Sequence, residues 1–140
     1  MGNKVSIRKI GFEDVKYLLN KGTRFIIINT LDERDQACLI KGTISPTEEI
    51  SIINKAISNP TLHIVIYGRN YTDENKYKKY EKLLSLGFNN IFVYAGGIFE
   101  WLCLQDIYGE NEFPTTSKEL DILKYKPLPV LNTLLLTDLD

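Results

Sequence analysis

A chain of 140 residues, 44% hydrophobic and 25% charged, has the composition of one soluble globular domain and excludes intrinsic disorder. Its 17 lysines and arginines nearly cancel its 18 aspartates and glutamates, leaving a net charge of −1. No global field therefore recruits nucleic acid or a membrane surface.

Cys38 and Cys103 stand far apart, and the one histidine, His63, has no cysteine or second histidine near it. The familiar zinc spacings and a disulfide framework are excluded, and no metal or cofactor is expected. Reduced thiols in a cytoplasmic setting are the simpler reading. No apolar run approaches the roughly 20 residues that span a bilayer. Arg8, Lys9, Glu13 and Asp14 interrupt the first apolar stretch, which argues against a secretory signal.

In chain order, Met1-Gly2-Asn3-Lys4-Val5-Ser6 fits the pattern M-G-x-x-x-[ST], which makes Gly2 a candidate for myristoylation, with Arg8 and Lys9 as extra basic residues. One acyl chain would give only marginal, reversible membrane association. The alternative is that this stretch simply begins the first strand. Phe12, Val15, Leu18 and Leu19 recur at helical spacing, with Gly22 as a stop. Phe25-Ile26-Ile27-Ile28 is a continuous apolar run, the mark of a strand covered on both faces. Pro46 can open a helix whose first turn carries Glu48 and Glu49, with Ile50, Ile53 and Ile57 as its buried face.

A second buried strand runs from Leu62 to Tyr67. A helix fits Asp73 to Leu86, with Tyr77, Tyr80, Leu83 and Leu84 inward, a solvated face of Lys76, Lys78, Lys79 and Lys82, and Gly87 at its end. Glu74 and Lys78 stand at favourable i,i+4 spacing on that face. Ile91 to Tyr94 is a third strand, closed by Gly96-Gly97, and Ile98 to Ile107 a last helix with Phe99, Trp101 and Leu102 as core candidates. Such alternation predicts a three-layer α/β/α fold around a mostly parallel sheet of about five strands. Ligands in these folds meet the loops at the carboxyl ends of the strands, here Asn29 to Arg34, Gly68 to Asn75 and Ala95 to Phe99.

Over roughly residues 7 to 104 the chain resembles the rhodanese-like family. The family's pattern includes an "H-I-x-G-A" stretch, then "Y-C-x-x-G-x-R", then "L-G-F-x-x-V-x-x-L-x-G-G-x-x-x-W". Leu39-Ile40-Lys41-Gly42-Thr43-Ile44 stands for the first of these. Leu86-Gly87-Phe88 through Ala95-Gly96-Gly97-Ile98-Phe99-Glu100-Trp101 matches the last, and this is the specific match. Residues 105 to 140 have no counterpart in the family's core, and the expected division is one rhodanese-like domain over residues 1–126, with that core at about 7–104, and a tail at 127–140.

The departures point away from catalysis. The family's persulfide-bearing cysteine follows the strand-ending tyrosine, and here Tyr67 is followed by Gly68. The family's "D-V-R" strand end reads Asn29-Thr30-Leu31, without its acid and base. A sulfurtransferase or phosphatase loop aims a thiolate into backbone N–H groups at a helix N-terminus. The loop Tyr67, Gly68, Arg69, Asn70, Tyr71, Thr72, Asp73 has no cysteine. Thr72 or Asp73 caps the next helix, and Asp73 and Glu74 place negative charge where an anionic substrate would sit.

Cys103 could be a displaced nucleophile, but its place opposite Trp101 suggests a small core residue, and Cys38 reads as packed too. His63 reads as a hydrogen-bonded structural histidine. Gly96 and Gly97 could bind a phosphate, or could permit a tight backbone passage beside the loop. Beyond residue 104, Phe113-Pro114-Thr115-Thr116 reads as a turn. Leu120, Ile122, Leu123 and Tyr125 read as a packed segment, and Leu134-Leu135-Leu136 as a partner site or a stretch folded back. The expected function is a non-catalytic module for a protein partner, with no role in nucleic-acid binding. The alternative is a sulfurtransferase or sulfur-accepting protein using Cys103.

Overall fold

The computed structural model describes residues 7–21 and 24–131. Gly2, the expected stop at Gly22 and the leucines at 134–136 lie outside the described residues. The β-branched runs lie side by side as β1 (Lys9–Ile10), β2 (Phe25–Asn29), β3 (His63–Tyr67) and β4 (Ile91–Tyr94). Their order is β1-β4-β3-β2 and every pair is parallel. Asn29 stands opposite Tyr67, Tyr67 opposite Tyr94 and Tyr94 opposite Ile10. This register puts the ends of all four strands in one row, so the loops that follow them are neighbours.

The sheet has four strands where about five were expected. The fifth is cut to a single parallel bridge between Thr43 and Ile27, with the Ile44 N–H donating to the Ile27 carbonyl at 2.9 Å. The stretch there is short for a physical reason. Gly42 turns with φ +95°, and Ser45 already caps the next helix by accepting from the Thr47 N–H.

Successive strand residues face opposite ways, and each face has its own core. One buries Ile27, Val65 and Tyr67 beneath α1 (Phe12–Lys21) and α4 (Gly97–Tyr108), with Val15, Trp101 and Leu102. The other buries Ile26, Ile28, Ile64, Ile66 and Val93 beneath α2 (Pro46–Ala56) and α3 (Asn75–Ser85), with Ile53, Tyr80 and Leu83. The α/β/α layering follows.

Two helix faces differ from expectation. In α2, Ile50 is 75% exposed and Ile57 is also exposed, while Ile52, Ile53 and Ala56 turn inward. Three isoleucines at similar spacing cannot show which stripe meets the sheet. In α3 the lysine-rich face is not uniformly solvated: Lys76 is fully buried and Lys79 pairs with Glu49.

Past α4, the chain returns to the core. Phe113 packs edge-on to Trp101 at 5.0 Å, and the Trp101 indole N–H donates to the Pro114 carbonyl at 3.1 Å. Thr115 bridges antiparallel to Ile40. A 3-10 turn, Ile122–Tyr125, then buries Tyr125 in the same core. Leu120, ahead of that turn, and Leu123 within it point outward instead of packing, while Ile122 packs against the core beside Tyr125.

Candidate functional site

The loop that leaves β3 begins at Tyr67, whose buried hydroxyl accepts from the Ile40 N–H at 3.1 Å and lies 2.8 Å from the Thr43 hydroxyl. Burial pushes this phenol far above its ordinary value, outweighing the lowering effect of Thr43, so it serves as a neutral anchor. The loop then presses against the start of α4. The Ile98 and Phe99 N–H groups donate to the carbonyls of Gly68 and Arg69, each at 2.9 Å. Donors that could meet an anion at that helix end are thereby already engaged by the protein's own backbone.

The second helix end, that of α3, is occupied from within. The Asp73 side chain folds back over the loop, one oxygen accepting from the Arg69 N–H at 2.9 Å and the other from the Asn75 N–H at 3.0 Å. A Cβ on Gly68 would stand only 2.2 Å from the Asp73 Oδ2 and 3.0 Å from the Thr30 hydroxyl. The carboxylate thus fills the space in which any side chain on residue 68 would begin.

Asn70 and Lys76 close the loop from below. The buried Asn70 side chain accepts from the Thr72 N–H and hydroxyl and donates to the Tyr125 carbonyl at 2.7 Å. The Lys76 ammonium donates to the carbonyls of Asn70 at 2.9 Å and Asp73 at 2.5 Å. Burial holds its pKa below the ordinary lysine value, partly offset by Asp73 and Glu74. Tyr71 and Thr72 form the outer rim, with Tyr71 exposed.

Arg69 leaves the loop sideways. Its guanidinium pairs with Asp35 at 2.8 Å, donates to the Lys124 carbonyl and stacks 5.3 Å from the Tyr125 ring centre. Asp35 belongs to the 3-10 turn Glu33–Asp35 after β2 and is itself buried. Asn29, at the strand end, bonds to Gln36 and to the Leu31 N–H. An acid and a base therefore do meet at this corner, though from positions 35 and 69 and not from the strand end.

The other sequence candidates lie apart from this network or support it. Gly97 takes φ +69° against the loop, and beside Gly96 the Glu100 carboxylate accepts from the Tyr94 hydroxyl at 2.7 Å. Burial, and then Glu100, push the Tyr94 phenol far up. Cys103 is half-buried, not a core residue as expected. Two residues along a helix is about 200° of rotation, so opposite the inward Trp101 means outward. Partial burial, then Asp106 and Glu100, raise its thiol pKa. Cys38 is buried, donates to the Ser117 carbonyl at 3.2 Å, and burial raises its pKa as well. His63 is half-buried and its ring stacks on Phe92 at 6.0 Å; the expected side-chain hydrogen bond is not found among the described residues.

Sequence reasoning missed Asp35, Lys76 and the contribution of Lys124 and Tyr125. Nothing in the local spacing marks them, since each reaches the loop by side-chain direction or from a remote segment.

The family model of the rhodanese-like domain matches residues 13–103. No curated protein sequence matches the chain. Among solved structures, the Alr3790 protein from Anabaena sp. is 22% identical, over 82% of this chain and 97% of that one, with a TM-score of 0.57. Ygr203w, a yeast protein tyrosine phosphatase of the rhodanese family, is 14% identical, over 85% of this chain and 99% of that one, with a TM-score of 0.64. A thiosulfate sulfurtransferase from Pseudomonas aeruginosa is 18% identical, over 70% of this chain but 19% of its own length, with a TM-score of 0.57. The match to the family model covers well over half of the sequence, and the chain belongs to the rhodanese-like domain family.

Proposed function

We propose that this chain is a rhodanese-like module without catalytic turnover, serving as a binding or scaffolding element for a protein partner. The observation that carries this reading is the Asp73 carboxylate, seated against the Arg69 N–H in the space beside Gly68. A sulfur- or phosphoryl-transfer cycle needs a thiolate there and a vacant anion cradle. The loop supplies glycine for the first and an internal anion for the second. Cys103 is a poor substitute, because its thiol is half-buried and its pKa is raised.

The activities to assay are the two named for the structural neighbours. Purified protein should show neither thiosulfate:cyanide sulfurtransferase nor tyrosine phosphatase turnover above background. Turnover that disappears in Cys103→Ser would overturn the proposal and establish the thiol enzyme. Acylation of Gly2 would add reversible membrane association to the same scaffold. Intact mass of protein from a eukaryotic host would show it as loss of Met1 plus one acyl group, and an unmodified Gly2 would remove it.

A further inference from the structure

We infer that the free edge of β2 is a docking site for an extended, acidic peptide segment of a partner protein. The inference rests on the binding-module reading above and places the contact away from the β3 loop. The edge is open because the fifth strand is cut to one bridge. The Ile44 N–H donates to the Ile27 carbonyl, so Ile27 turns its backbone groups away from β3. Backbone groups alternate in direction along a strand. Phe25 therefore shares the outward direction of Ile27, and its N–H and carbonyl have no partner there among the described residues. Beside this edge lies a cleft of about 500 Å³, between the start of β2 and the end of α2. Phe25, Ile52 and Leu62 give it an apolar lining, and Arg24 and Lys55 are its charged residues.

The charge here is not cancelled. No aspartate or glutamate lines the cleft, and among the described residues neither the Arg24 nor the Lys55 side chain forms an ion pair or hydrogen bond. On α2, Glu49 is taken up by Lys79, and Glu48 stands two turns before Lys55, roughly 10 Å away along the axis. The last carbonyls of α2 are occupied as well. Ile53 accepts from the Ile57 N–H, Lys55 from the Ser58 hydroxyl and Ala56 from the Asn59 N–H. The helix end therefore offers the two cations little in place of a carboxylate.

These groups select the occupant. Sulfate would meet the cations and leave the Phe25 carbonyl without a donor, whereas a peptide backbone supplies a donor and an acceptor together. A second copy of the chain would bring its own Arg24 and Lys55 to the same edge, and like charges at strand edges oppose such pairing. An added strand carrying Asp or Glu among apolar residues meets all three features. Its backbone pairs with Phe25, its carboxylates reach Arg24 and Lys55, and its aliphatic side chains cover Ile52 and Leu62.

The test is selection of a random phage-displayed peptide library against the full chain. Enriched sequences should combine Asp or Glu with Val, Ile or Thr. A synthetic peptide of that kind, followed by fluorescence anisotropy, should lose affinity about tenfold or more in the Arg24→Glu/Lys55→Glu double variant. Both side chains are exposed, so the thermal midpoint of that variant should match the parent, which separates lost binding from lost fold. Bound peptide should slow hydrogen exchange of the Phe25 amide about tenfold or more, read by NMR. The same peptide methylated on its central backbone nitrogens should bind weakly. Sodium sulfate should displace the peptide no better than sodium chloride at equal ionic strength. Absence of acidic enrichment, indifference to the charge reversal, or an unchanged Phe25 amide would each overturn the assignment. So would a dimer that the peptide dissociates, since a second copy would then own the edge. Binding that appears only after removal of residues 132–140 would overturn it too, because the chain's own end would be the occupant. Turnover in the assays above would overturn the non-catalytic reading alone, so the two failures are distinguishable.

Discussion

Gly97 and Gly68 approach so closely that a Cβ on Gly97 would stand 2.6 Å from the Gly68 carbonyl oxygen. The contact is what lets the first turn of α4 hydrogen-bond to the loop. It also separates two glycines that look alike in sequence. Gly87 ends α3 with φ +103°, yet nothing lies within 4 Å of the place its Cβ would take. Gly87→Ala should cost about 1 kcal/mol, the strain of the left-handed backbone alone. Gly97→Ala adds a backbone clash and should cost about 2–4 kcal/mol. Urea unfolding of the two variants side by side decides it, and equal losses would refute the close-contact account.

A cysteine introduced at position 68 should fail as a nucleophile for a spatial reason. Gly68 does not have a positive φ, so the obstacle is Asp73 and not the backbone conformation. Gly68→Cys must displace that carboxylate from the Arg69 N–H and should cost about 1–3 kcal/mol. The nearby negative charge would also hold the new thiol protonated. The expected outcome is a less stable protein without sulfur transfer from thiosulfate, with stability partly regained in Gly68→Cys/Asp73→Ala. Robust transfer by the single variant would show an intact pocket.

Lys76 gives the loop a pH signature. Burial lowers its pKa in the folded protein from the ordinary 10.5, to which it returns on unfolding. Between those two values the unfolded chain binds more protons, so stability rises with pH. The contribution is fully present above 10.5 and is lost as pH falls through the lowered folded value. Lys76→Met should remove this rise. It should also cost about 1–3 kcal/mol at neutral pH, because the Asn70 and Asp73 carbonyls lose a donor. Denaturation of both proteins across the alkaline range is the measurement, and parallel curves would contradict the assignment.

Two truncations test where the domain ends. Removing residues 127–140 should leave the thermal midpoint nearly unchanged, since Leu128, Val130 and Leu131 are all exposed. Ending the chain at Asp121 also removes Tyr125, a buried ring under Arg69 whose carbonyl holds Asn70. That loss should cost about 3–5 kcal/mol. Equal stability of the two truncated forms would show that the 3-10 turn is not part of the folded unit.

Much of the fold was legible because its signals are local. Continuous β-branched runs such as Phe25–Ile28 announce strands buried on two faces. Glycine after the α3 stripe announces its stop, and strand–helix alternation requires crossovers that make the sheet parallel. The glycine after Tyr67 and the acid at position 73 were equally plain. The inward stripe of α2 was not, since Ile50, Ile53 and Ile57 satisfy helical periodicity while only Ile53 meets the sheet.

By itself, then, the sequence determined the layering, the row of strand ends and a β3 loop with glycine directly after Tyr67. Tertiary structure alone decided what fills that place. Lys76 reads as one more solvated lysine until the helix is set against the loop and its ammonium meets two carbonyls. Asp35 and Tyr125 reach the loop from 34 and 55 residues away. Residue spacing records which face of its own element a side chain occupies. It carries no record of which remote segment will be packed against that face, because that choice is made by the folding of the whole chain.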